Sequence, residues 1–128
     1  MTIGVAEEEL ARRVAELLDG RTIATAESCT AGRLAEVLAC VEKATDFLRG
    51  GLVAYQDEIK RQLLGVTADS VLSIDAAKEM AVGALGLFGA DVVSSVLGQC
   101  PKLLECKWLQ FKNGTFSKSC FCPNSAGR

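Results

Sequence analysis

Two short stretches of this chain hold residue types that could do chemistry. Glu27-Ser28-Cys29-Thr30-Ala31-Gly32 places a carboxylate, two hydroxyls and a thiol in one run. A hydroxyl or thiol that attacks a carbonyl carbon needs a base to take its proton and donors to hold the oxyanion that forms. The chain contains no histidine, which excludes Ser-His-Asp and Cys-His catalysis and every His-ligated metal site. A base must come from elsewhere, and the second stretch, Tyr55-Gln56-Asp57-Glu58-Ile59-Lys60, offers one. A lysine serves a serine when burial or a neighbouring cation lowers its pKa toward neutrality. Cys29 is the weaker nucleophile here, because no histidine can activate it, although a helix amino end alone can lower a thiol's pKa.

The elements around these stretches set where they would point. Leu10, Val14, Leu17 and Leu18 recur at helical spacing after Glu7, Glu8 and Glu9, and Gly20 is placed to end that first helix. Thr22-Ile23-Ala24-Thr25-Ala26 reads as a short strand that runs into the Ser28 turn, with a helix from about Arg33 to Val41 beyond it. Gly50 and Gly51 open a second strand, Leu52 to Tyr55, followed by a polar helix from Asp57 to Leu64. Ser73 caps a third major helix with Ala77, Met80, Ala81, Ala84, Leu85 and Phe88 on one face, and Asp91 to Ser95 reads as a buried strand. Strands alternating with helices predict an α/β sheet covered on both faces. Both candidate stretches then lie beyond the carboxyl ends of strands, where such sheets hold ligands, and free N–H groups at a helix start favour a phosphate or an oxyanion. Each also has a plainer meaning: Ser28 or Thr30 as a helix cap, and Asp57, Glu58, Lys60 and Arg61 as a solvated helix face.

The bulk composition narrows the partners. With 128 residues, 49% hydrophobic and 23% charged, the chain has one domain's worth of globular sequence. A net charge of −2 with scattered Lys and Arg leaves no basic face for nucleic acid. The apolar run from Ala81 to Gly98 is broken by Asp91 and serines and reads as helix, turn and strand instead of a membrane span. No basic segment followed by an apolar run opens the sequence, so a cytoplasmic location is expected. There the six cysteines would stay reduced.

After about Ser95 the character changes: four of the six cysteines, the only tryptophan and both prolines fall in residues 96–128. No strand alternation persists there, so the sheet is expected to be incomplete at its C-terminal end, with a poorly covered edge that promotes self-association. The reading divides the chain into residues 1–95 and a divergent or frameshifted tail, 96–128. Cys100, Cys106, Cys120 and Cys122 could supply four thiolates to zinc, but their C-x₅-C and C-x-C spacings are not the paired C-x₂-C of structural sites. No metal site is expected.

Taken in order, Thr25-Ala26-Glu27-Ser28-Cys29-Thr30-Ala31-Gly32, Phe47-Leu48-Arg49-Gly50-Gly51-Leu52-Val53-Ala54-Tyr55, Lys60 and Leu63-Leu64-Gly65-Val66 resemble the C-terminal domain of the CinA (competence/damage-inducible protein A) family, over roughly residues 5–95. The resemblance implies a three-layer α/β/α sandwich with a mixed sheet that deamidates nicotinamide mononucleotide without a metal or organic cofactor. It implies Ser28 as nucleophile on the carboxamide carbon, with Tyr55 and Lys60 assisting proton transfer. Glu27, Thr30, Ala31 and Gly32 would line the substrate, the backbone N–H groups of 30–32 holding a phosphate or the oxyanion.

Three departures from the family pattern stand out. Ala31 occupies the usual second glycine position, which would be strained if φ must be positive. Asp57 replaces an asparagine and adds negative charge. After Ser95 the T-G-x-A-G-P loop is replaced by Val96-Leu97-Gly98-Gln99-Cys100, and with it goes a threonine assigned to the site in relatives. A non-catalytic nucleotide- or phosphate-binding module of the same fold is therefore the competing reading.

Overall fold

Strand β1 (Ile23–Glu27) is the axis of the molecule, and every one of its residues is buried. In the computed structural model, which describes residues 3–99, 104–111 and 116–121, β1 lies between β2 (Leu48–Val53) and β3 (Val92–Gln99) and runs parallel to both. Strands β4 (Leu104–Phe111) and β5 (Phe116–Phe121) extend the sheet antiparallel from β3, giving the order β2-β1-β3-β4-β5. Among the described residues the sheet is therefore mixed and open at β2 and β5.

Helices cover both faces, as a parallel centre requires. Ile23 and Val92 pack with Ala11, Leu18 and Leu38 from α1 (Val5–Leu18) and α2 (Arg33–Ala39) on one side. Ala24, Ala26 and Val93 pack on the other with Ala76, Ala77, Met80, Ala81 and Ala84 of α4 (Ile74–Phe88) and Leu64 of α3 (Asp57–Leu64). The switch of faces from one residue to the next along β1 and β3 is the period-2 alternation of a strand. Alanines dominate α4 because a helix lying directly on a sheet leaves little room for larger side chains. At the α3–α4 crossing Gly83 is required, since a Cβ there would strike the Leu64 carbonyl oxygen and lie 2.9 Å from its carbonyl carbon.

Four sequence expectations change. The packed face of α1 is Ala11, Val14, Ala15 and Leu18, whereas Leu10 and Leu17 are 64% and 67% exposed. Two small alanines make the close contact, so the larger leucines beside them fall off the seam. Second, β2 begins at Leu48, so Gly50 and Gly51 lie inside it; Ile23 pairs with Leu48 and Ala24 with Gly50, leaving Arg49 as the extra residue of a bulge. Third, β3 continues past Ser95 to Gln99. Fourth, the tail was expected to offer no strand, yet β4 pairs with β3 across eight positions, from Val92↔Phe111 to Gln99↔Leu104. The unpaired donors and acceptors along β3 need partners whatever the local side-chain pattern.

Candidate active site

The parallel trio delivers the candidate residues to one edge. Glu27, the last residue of β1, pairs with Val53 on one side and Val96 on the other. The Ser28 N–H donates to the Val96 carbonyl at 3.0 Å, and Ala54 N–H donates to the Glu27 carbonyl at 2.8 Å. Ser28 thus emerges at the carboxyl edge between β1 and β3. Here the chain leaves β1 for α2 on one face, while the β2–β3 crossover through α3 and α4 occupies the other. This is the switch point at which open α/β sheets bind ligands.

The turn from Ser28 to Gly32 is left-handed. Ala31 has φ +50° and Gly32 φ +98°, and Ala31 N–H donates to the Ser28 carbonyl at 3.0 Å. The strain foreseen for a non-glycine at position 31 is therefore present. Neither Ser28 nor Thr30 caps α2; Glu27 does. Its fully buried carboxylate accepts hydrogen bonds from Leu34 N–H at 2.7 Å, Ala35 N–H at 3.0 Å, Thr30 Oγ1 at 2.7 Å and Thr25 Oγ1 at 3.2 Å. Four donors converging on two oxygens satisfy a group whose burial would otherwise be costly. Thr30 and Gly32 keep N–H groups that the turn's own hydrogen bonds do not use.

Lys60 is the second departure from a plain surface. It lies on the buried side of α3 with Leu64 and is only 3% exposed, so it does not belong to a solvated helix face. Burial lowers its pKa from the usual lysine range, opposed by the Asp57 carboxylate 4.0 Å from Nζ and by Cys29. Lys60 lies in the first half of α3, which follows β2 at the edge of the sheet where Ser28 leaves β1. Tyr55, two residues beyond the end of β2, is 59% exposed at the same sheet edge. Asp57, the departure from the family's asparagine, is the first residue of α3 and acts on Lys60.

Two other hollows lie elsewhere. An apolar cavity of about 350 Å³ sits beside α1 against Leu17, Leu18, Leu38 and Val92, and a polar one of about 630 Å³ lies around Thr67, Ser73 and Glu79. Neither includes Ser28, Tyr55 or Lys60 among its described lining residues. Among the described residues no cluster of His, Cys, Asp or Glu could hold a metal ion, and no helix is long and apolar enough to cross a membrane. The side chains of Cys100, Cys106, Cys120 and Cys122, weighed above as zinc ligands and set aside, lie outside the described part.

This chain is similar to CinA-like proteins of Mycobacterium tuberculosis strain H37Rv, at 46% identity over 100 residues, and of Mycolicibacterium paratuberculosis, at 47% over 90. Those matches cover 74% and 66% of this chain but only 23% and 21% of the relatives, so the chain spans less than a quarter of their length. Among solved structures it resembles the competence damage-inducible protein A of Klebsiella pneumoniae, with TM-score 0.84, 32% identity and coverage of 91% of this chain and 81% of that one. It also resembles a competence/damage inducible protein of Agrobacterium tumefaciens, with TM-score 0.85, 28% identity and coverage of 100% and 88%. The family model for the CinA C-terminal domain matches residues 7–100, and the chain belongs to that family.

Proposed function

We propose that this domain is an amidohydrolase that deamidates nicotinamide mononucleotide in the cytoplasm, with Ser28 as nucleophile and Lys60 as its base. The observation that carries the reading is a buried lysine, Lys60, on the helix that follows β2 at the sheet edge where Ser28 leaves β1 at the switch point. Desolvation favours the neutral amine, the form that can accept the Ser28 proton. Ser28 Oγ adds to the carboxamide carbon as its proton passes to Lys60 Nζ, and the Thr30 and Gly32 N–H groups receive the oxyanion. Lys60 then returns the proton to the departing nitrogen, the C–N bond breaks, and ammonia leaves an ester on Ser28. Water, deprotonated by Lys60, cleaves that ester and frees Ser28 and the carboxylic acid. In this reading the exposed Tyr55 hydroxyl assists the proton transfers at the rim.

The test is ammonia release from nicotinamide mononucleotide by the purified chain, with identification of nicotinic acid mononucleotide as the other product. Stoichiometric formation of both supports the reading. Saturable nucleotide binding without ammonia would favour the non-catalytic module, the outcome that loss of the T-G-x-A-G-P loop after Ser95 would produce.

A further inference from the structure

The amino end of a helix ordinarily offers unpaired N–H groups to a bound anion. In α2 those offers are already taken, and by the protein itself. Leu34 and Ala35, the second and third residues of the helix, both donate to Glu27, and the first, Arg33, donates its N–H to the Thr30 carbonyl. Ala31 N–H is spent on Ser28. Thr30 and Gly32 N–H stand outside the turn's own backbone hydrogen bonds, beside a buried carboxylate. Two such donors suffice for one oxyanion, whereas a phosphate dianion at this turn would sit against the like charge of Glu27.

Building on the amidase reading above, we propose that Glu27 is a positioning residue: its carboxylate is a built-in anion that fills the amino end of α2 and locks the left-handed turn for the carboxamide end of the substrate. The phosphate of the nucleotide then binds away from residues 28–35. Glu27 acts through Thr30 and the α2 amides and touches no substrate. Its side chain is fully buried and every hydrogen bond it makes is internal. Thr25, the other buried polar residue of β1, helps hold it, and Gly51 is required opposite because a Cβ there would strike the Thr25 hydroxyl.

The test uses Glu27→Gln and Thr30→Val with nicotinamide mononucleotide as substrate and inorganic phosphate as a separate ligand. Glu27→Gln turns an amide N–H₂ toward donors that need an acceptor, and Thr30→Val removes one donor to the carboxylate while sparing the helix cap. The expected result is a fall in kcat of about 10- to 100-fold for Glu27→Gln and a smaller fall for Thr30→Val, with KM within about threefold of wild type in both. Calorimetric titration with inorganic phosphate should show the same affinity in the wild type and both variants. A variant that keeps kcat but shifts KM for the nucleotide, or Glu27→Gln binding phosphate about tenfold more tightly, overturns the proposal by showing that the turn is a phosphate seat. If the wild type releases no ammonia, the amidase reading fails, while the phosphate titration still decides the role of Glu27. Should Glu27→Gln not fold, Thr30→Val carries both readouts.

Discussion

Replacing Ala31 with glycine should make the protein more stable. At φ +50° an L-residue crowds its Cβ against the following carbonyl, at a cost of about 1–2 kcal/mol that glycine does not incur. Glycine's greater freedom in the unfolded chain opposes this by roughly 0.4–1 kcal/mol. Ala31 is exposed, so losing its methyl sacrifices little buried surface. The net gain is about 0.5–1 kcal/mol, a rise in Tm of roughly 2–4 °C for a domain of this size. Gly32→Ala is the mirror experiment: φ is +98° and the new Cβ would meet Val53 Cγ2 at 3.4 Å, an ordinary contact, so the loss of about 1–2 kcal/mol comes from the backbone alone. Thermal denaturation of both variants at one pH, with urea titration to confirm an unchanged m-value, reads the pair. A less stable Ala31→Gly together with a neutral Gly32→Ala would show that the turn is not left-handed at these positions, and the two-donor oxyanion site would fall with it.

Lys60→Met should abolish turnover yet raise stability, because the buried ammonium is less favourable in the folded chain than in water. That stability gap should be constant below the lowered folded pKa and close as pH rises from there toward 10.5, where the unfolded amine also loses its proton; a gap that widens with pH would contradict it. Gly83→Ala should lower stability by about 1–2 kcal/mol net, and with it Tm, despite alanine's better helix propensity, since the Leu64 backbone cannot rotate away from the new Cβ. An unchanged Tm would place the α3–α4 crossing elsewhere. Glu79 accepts from the Thr67 hydroxyl at 2.7 Å, the Thr67 N–H at 2.8 Å and the Ala68 N–H at 2.9 Å, and the Thr67 hydroxyl most of all holds its pKa below the usual 4.5. Glu79→Gln should therefore be less stable than wild type above pH 4.5, with the difference shrinking as pH falls through the lowered pKa; equal urea midpoints at pH 7 would remove that clamp.

The alternation of strands and helices, the Ser73 cap of α4 and the candidate turn were legible because each is a local pattern: a β-branched run, a hydroxyl three residues before an N–H, and small residues between strand and helix. The positive φ at Ala31 was legible for the same reason, as a methyl where a glycine belongs. Glu27 as the cap of α2 was not, since its helical partners lie seven and eight residues ahead and nothing local marks a strand-end carboxylate as turning inward. The burial of Lys60 was equally hidden, because polar neighbours Asp57, Glu58 and Arg61 give its helix the sequence of a solvated surface. On α1 the reading followed the large leucines, while the contact is made by Ala11 and Ala15. Strands β4 and β5 escaped notice because pairing answers to the neighbouring backbone, here that of β3, and not to a period within the segment itself.

Which atom attacks the substrate is the centre of the mechanism, and adjacent Ser28 and Cys29 allow it to be measured directly. Ammonia release from nicotinamide mononucleotide should be compared between Ser28→Ala and Cys29→Ala at equal, folded protein concentrations. Ser28→Ala should fall to the uncatalysed rate and Cys29→Ala should stay within about tenfold of wild type, losing only its influence on Lys60. Turnover retained by Ser28→Ala and lost in Cys29→Ala would contradict the assignment and make the thiol the nucleophile.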